Sequence, residues 1–298
     1  MEASAFPISG EEQTLGKRPK RDKRQQGPLD GGSKWWRWAL RYSVLFYLAA
    51  LLIIPVIMIF IRTFEDGFIE SFEAVTSEAG LHALKLTIIT VLIAVPINTV
   101  FGVLTAIVLV RQKFRGKAFL NALIDIPFAI SPVVIGLALI LLYGPRDGFV
   151  GEWFFENGIQ IIFSTPGIVL ACIFVSLPFV VREVVPVLRE IGDEQEQAAT
   201  TLGAGPWQTF WRVTLPSIRW GVTYGVVLST ARVLGEFGAV SVVSGRISGQ
   251  TETLPLFVRK QFEVFNQGGG YAAAMVLAAL ALLTLLLMNL INKKEERV

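Results

Sequence analysis

The sequence predicts an all-α integral membrane protein with six spanning helices. Three observations carry this. The chain of 298 residues is 53% hydrophobic and only 17% charged, with a mean hydropathy of +0.57, whereas soluble domains sit near 45–50% apolar and about 25% charged. The apolar residues fall in long blocks rather than evenly. Lysine and arginine crowd into alternate connections between those blocks, as the positive-inside bias of spanning helices requires.

The first stretch, residues 1–33, is polar, rich in Gly and Pro, and ends in a basic run from Lys17 to Arg24. It has too little apolar surface to order itself, and reads as part of a basic tail, residues 1–40. It is no signal peptide, because the apolar stretch follows too late and runs too long. Six blocks then approach or exceed the roughly 20 residues a spanning helix needs: residues 43–61, 86–110, 119–143, 159–181, 220–243 and 271–291. The domain map is a tail (1–40), a first spanning helix (41–62), a core of five helices (80–292) and a short tail (293–298). Trp35, Trp36 and Trp38 precede the first block with Arg37, as an interfacial aromatic belt predicts. Pro55, Pro96, Pro127, Pro132 and Pro178 lie within blocks; membrane helices accommodate proline because neighbours re-satisfy the freed carbonyls.

Of the 27 basic residues, twenty lie before the first block, in the 2–3 and 4–5 connections and at the C-terminus; six lie in the other three connections; Arg232 falls inside a block. Both termini are therefore expected in the cytoplasm. The same placement, along a membrane boundary, accounts for the pI near 9.0 without nucleic acid. A single cysteine, Cys172, and a single histidine, His82, exclude a disulfide framework and a Cys/His metal site. Both are read as packing or surface residues. No internal repeat is evident.

The longest water-side connection, residues 182–219, carries the functional pattern. It contains Glu196-Gln-Ala-Ala-Thr-Thr-Leu-Gly203 and Pro206-Trp-Gln-Thr-Phe-Trp-Arg-Val213-Thr-Leu-Pro216. Ala198, Ala199 and Leu202 favour helix and Gly203 is a helix stop. Pro206 suits the first turn of a second short helix. Trp207, Phe210 and Trp211 then share one face at i, i+3 and i+4. An aromatic stripe on the water side must bury itself against the membrane surface or in a partner's cleft. A phosphate-cradling Gly-x-x-x-x-Gly-Lys-Ser/Thr is absent, the nearest string being Arg115-Gly-Lys-Ala118. The chain is not expected to hydrolyse ATP.

This connection resembles the EAA loop of ABC importer permeases, with Gln197, Ala198, Ala199, Gly203, Val213, Leu215 and Pro216 in register. It departs from that pattern by Gln197 for Glu and Val213 for Ile, the first removing a charge beside Glu196. Ala231-Arg-Val-Leu-Gly-Glu-Phe-Gly-Ala239 resembles a string of sulfate and molybdate permeases. Val240-Ser-Val-Val-Ser-Gly245, Thr253-Leu-Pro-Leu256, Phe179-Val-Val-Arg-Glu-Val-Val-Pro186 and Ile130-Ser-Pro-Val-Val134 are similar to the sulfate/thiosulfate (CysW-type) subunits. The resemblance covers about residues 86–291. It implies a type I ABC importer permease fold in the inner or plasma membrane of a prokaryote, with no cofactor in this chain. The implied partners are a dimer of ATPase subunits that bind ATP and Mg, a second related permease chain forming a heterodimer, an extracytoplasmic sulfate-binding protein, and membrane lipid. It implies that Glu196, Gln197, Ala198, Ala199, Gly203, Trp207, Phe210, Trp211, Leu215 and Pro216 couple to the ATPase. A molybdate or tungstate permease is the near alternative; an uncoupled channel or scaffold is the far one, which needs no docking helix.

Arg232 and Glu236 are the candidates for the translocation path. Arg232 lies roughly 18 Å into the fifth block at 1.5 Å per residue, near the midplane of a core about 30 Å thick. A charge there costs about 2.5–3.5 kcal/mol on insertion scales. Glu236, four residues on, either neutralises it to fix packing or lines the path with it. Gly221, Gly225, Gly235 and Gly238 are expected to allow close helix approach. Asp125, about 9 Å from the inner end of the third block by the same rise, is read as structural.

Overall fold

The computed structural model describes residues 34–65, 67–146 and 148–295. The expected tail over residues 1–33 and the last residues, 296–298, lie outside the described residues. The chain divides into two units, Met1–Pro55 and Val56–Val298. Helix α1, Lys34–Glu65, begins in the first, where Trp38 stacks on Tyr42 with centroids 5.7 Å apart.

The second unit carries the remaining helices. Helix α2 (Phe68–Thr76) leads into the long α3 (Glu78–Arg111), whose start is capped by the Ser77 hydroxyl accepting from the Gly80 N–H at 3.1 Å. Glu78 in the first turn and Arg111 in the last suit the helix dipole. There follow α4 (Lys117–Ala129), α5 (Pro132–Tyr143), α6 (Gly151–Glu156) and α7 (Thr165–Ile191). Then come α8 (Glu194–Thr201), a short helical run of α9 (Pro206–Thr209), a π turn (Phe210–Thr214) and α10 (Leu215–Ser217), and α11 (Arg219–Leu234). Helices α12 (Gly238–Val243), α13 (Leu254–Glu263) and α14 (Gln267–Glu295) complete the chain.

Six straight crossings are not what forms. Among the described residues four helical segments, Trp38–Glu65, Glu78–Arg111, Thr165–Ile191 and Gln267–Leu286, are long and apolar enough to span; α4 with α5 makes a fifth if the pair, bent by 114°, is one crossing. The third block breaks because Pro132 opens a new helix and the preceding Ser131 is held extended (φ −60°, ψ 136°), as the residue before proline usually is. The other four in-block prolines stay inside continuous helices. The fifth block breaks at residues 235–237, leaving α11 with 16 residues. The fourth is displaced: its helix starts at Thr165, with Pro166 in its first turn, and runs on through Arg182 to Ile191. Hydropathy marks where a helix leaves the apolar layer, not where its backbone hydrogen bonding stops.

Glycine sets the packing. A Cβ on Gly102 of α3 would lie 2.7 Å from Val180 Cβ of α7, and one on Gly225 of α11 would lie 2.9 Å from Val180 Cα. Neither distance is tolerable, so α3, α7 and α11 meet in close contact around Val180. The segments beyond the two breaks pack together by the same device: a Cβ on Gly136 of α5 would sit 2.9 Å from Ala239 O, and one on Gly238 would sit 2.9 Å from Pro132 Cβ. Gly221 also makes a close approach, whereas Gly235 faces only Ala231 O of its own helix. Buried between α3 and α7, Asn98 Nδ2 donates to Ser176 Oγ (2.6 Å) and to Ile173 O (3.2 Å).

Candidate functional site

The water-side connection forms two short helices joined by a tight stop. In α8 the Ala204 N–H donates to Ala199 O and the Gly203 N–H to Thr200 O, both at 3.0 Å, which is a Schellman ending. Gly203 takes φ +85° with nothing within 4 Å of a Cβ placed on it. The position therefore resists a side chain through its backbone, not through crowding. A valine here costs about 1–3 kcal/mol of strain. On the coupling role that the resemblance implies for this turn, Gly203→Val is expected to reach the membrane but to lose ATPase co-purification and radiolabelled anion uptake. Gly203→Asn, which tolerates left-handed backbone, is expected to keep most of both; equal behaviour of the two variants would sink the assignment.

The aromatic stripe is divided. Trp207 and Trp211 are 72% and 51% exposed, edge to face with centroids 5.6 Å apart. Phe210 instead turns inward onto the cluster around Leu188 and Ile218, as Leu215 does. Exposed Leu202 adds to the outward apolar surface, while Gln197, Ala198 and Pro216 are exposed and Ala199 half-buried. An open groove of about 600 Å³ runs beside them, lined in part by Ala198, Ala199, Val213 and Pro216.

Glu196 does not face outward. Its carboxylate accepts from Arg111 Nε at 2.9 Å and Nη2 at 3.3 Å, and from Thr214 Oγ1 at 2.8 Å. Arg111 also donates to Leu188 O (3.2 Å) and Gly192 O (2.5 Å). One guanidinium thus ties the end of α3 to the end of α7 and to α8, and Thr214 brings in the π turn. The sequence gives no sign of this. Arg111 reads as an ordinary cation at the edge of an apolar block, and its partner is 85 residues away. The substitution at Gln197 leaves the clasp intact, because the charge it needs sits one residue earlier.

Arg232 and Glu236 do meet, Nη2 to Oε2 at 2.9 Å, with side-chain exposures of 31% and 1%. They are not one turn apart on a continuous helix. Arg232 occupies the last turn of α11, where a cation suits the carbonyl end, and Glu236 sits in the break, accepting from the Ala239 N–H of α12 at 2.8 Å. Asp125 pairs with Arg182, accepting from Nε at 3.0 Å and also from Nη2, so it joins α4 to α7. Cys172 is buried in an apolar cluster with Val233 and Val240. Among the described residues no group of His, Cys, Asp or Glu is placed to hold a metal.

Long apolar helices, two of the predicted crossings broken, and a braced turn presenting tryptophans together define a membrane-embedded helical protein with an exposed aromatic face. Residues 98–297 match the family described as binding-protein-dependent transport system inner membrane component, and the chain belongs to that family. It is 52% identical to the sulfate transport system permease protein CysW of Synechocystis over 87% of this chain and 93% of that one. Its identity to the Escherichia coli K12 protein of the same name is 46%, over 88% and 90%. It is 37% identical to CysT of E. coli K12, over 85% and 91%. A solved bacterial ABC transporter involved in alginate import shares the fold, with a TM-score of 0.72 at 18% identity over 87% of this chain and 96% of that one.

Proposed function

We propose that the chain is the membrane subunit through which an ATP-driven importer carries sulfate or thiosulfate. The observation that carries the coupling half of this reading is the exposed Trp207–Trp211 pair on a turn braced by the Arg111–Glu196 clasp. A rigid pair of aromatic rings is what a docking cleft grips. The sulfate half is supported by 46–52% identity to the CysW proteins; none of the relatives above favours molybdate or tungstate. ATP and Mg belong in this reading to a separate ATPase dimer docked on residues 194–217. A second, CysT-like permease chain completes the pair, and an external binding protein delivers the anion. In this reading both termini lie in the cytoplasm, which the imbalance of twenty basic residues against six supports. Arg232 supplies positive potential along the path, and Glu236 limits the cost of burying it.

The test is uptake of radiolabelled sulfate, thiosulfate and molybdate in cells lacking their own CysW-type subunit and supplied with this chain. Sulfate uptake is expected to return, competed by thiosulfate. Molybdate uptake without sulfate uptake would overturn the substrate. A reporter fused after Val298 and active only outside the cell would overturn the orientation.

A further inference from the structure

Between the end of α3, the start of α4 and the last turns of α7 lies an open groove of about 580 Å³. Its lining brings together Arg115, Lys117, Arg182 and Arg189, with Asn121 and no acidic residue. Arg182 is paired with Asp125. Arg115, Lys117 and Arg189 make no ion pair or side-chain hydrogen bond among the described residues. The groove opens on the start of α4, which has no side-chain cap, no acid in its first turn and a lysine as its first residue. A cation is the wrong charge for that end of a helix, and a bound anion would satisfy the helix start and the cations together.

The surroundings decide which anion. Phe114 lies on the rim at 40% exposure, and Phe119 and Leu123, further along α4, are 74% and 47% exposed. Cations beside outward apolar side chains are the pattern of a headgroup boundary, not of a site for a fully hydrated ion. We propose that this groove binds an anionic phospholipid. The headgroup phosphate lies among Arg115, Lys117 and Arg189, and the acyl chains run down α4 over Phe119 and Leu123. Nothing in this depends on which substrate the chain carries. It places a lipid contact next to the helix ends that the Arg111 clasp holds, since Leu109 lines the groove and Arg111 follows it by two residues.

The test is native mass spectrometry of the purified full-length chain, in whatever complex it purifies, offered phosphatidylglycerol and phosphatidylcholine of equal chain length. Preferential retention of phosphatidylglycerol is expected. Arg115→Gln, Lys117→Gln and Arg189→Gln together are expected to weaken it about a hundredfold, each cation near an anionic surface contributing about fivefold. Arg115→Lys with Arg189→Lys is expected to retain it. Equal retention of both lipids by the unmodified chain overturns the proposal, and this comparison decides even where the triple variant fails to assemble. Undiminished phosphatidylglycerol binding by the triple variant overturns it as well. Displacement of the lipid by a millimolar excess of sulfate would assign the groove to a free oxyanion instead, and the lipid assignment falls.

Discussion

Arg111→Met is expected to abolish uptake while leaving the chain in the membrane. Arg111 sits at the junction of α3, α7 and α8, with side-chain exposures of 18% for itself and 22% for Glu196. Removing one partner of a buried pair costs about 3–5 kcal/mol, because the other charge is left unpaired. Partial exposure lowers that, and about 2 kcal/mol is expected here, more than tenfold in the population of the braced turn. The spanning helices do not depend on this contact, so insertion is expected to survive. Adding Glu196→Gln removes the orphaned charge and keeps an oxygen for Thr214, so the double variant is expected to recover part of the lost uptake. Wild-type uptake by Arg111→Met alone would show that the turn holds its shape without the clasp.

The second large effect is expected at Arg232 and Glu236. Arg232→Met leaves a carboxylate that is 1% exposed with only the Ala239 N–H beside it, and that chain is expected to disappear from the membrane complex. Pairing it with Glu236→Gln removes both charges and keeps an amide oxygen for Ala239. Exchanging a buried pair for neutral groups of similar volume is often close to neutral in stability, so the double variant is expected to assemble. On the role proposed for Arg232 in the path, it is nevertheless expected to carry sulfate at least tenfold more slowly. Immunoblotting of membranes beside radiolabelled sulfate uptake separates the two effects. Full uptake by the double variant would make Arg232 a helix-packing residue.

Local patterns were readable from the sequence, and long-range ones were not. The apolar blocks locate every long helix, because burial in lipid demands a continuous run of apolar side chains. Gly203 and Pro206 mark where α8 stops and α9 starts, because each acts on its immediate backbone, whereas the aromatic spacing is met only in part: Trp207 and Trp211 face out and Phe210 turns inward. The two breaks were less visible. Pro132 looks like its four companions in sequence, and it differs only in having an extended Ser131 before it. At residues 235–237 the glycines that permit a break equally permit close helix packing. Arg111 with Glu196 and Asp125 with Arg182 are joined across 85 and 57 residues, and no local periodicity reports such pairs.

The meeting of α3, α7 and α11 at Val180 constrains how this chain can vary. Gly102 and Gly225 approach one valine from two helices, so residues 102, 180 and 225 share a single fixed volume. A Cβ at 102 would meet the Val180 side chain from its Cβ outward, so that glycine can change only where position 180 itself gives up its Cβ. A Cβ at 225 would meet the Val180 Cα, which no substitution removes, so position 225 is tied to the spacing of the α7 and α11 backbones and is the one of the three that a compensating exchange at 180 cannot release.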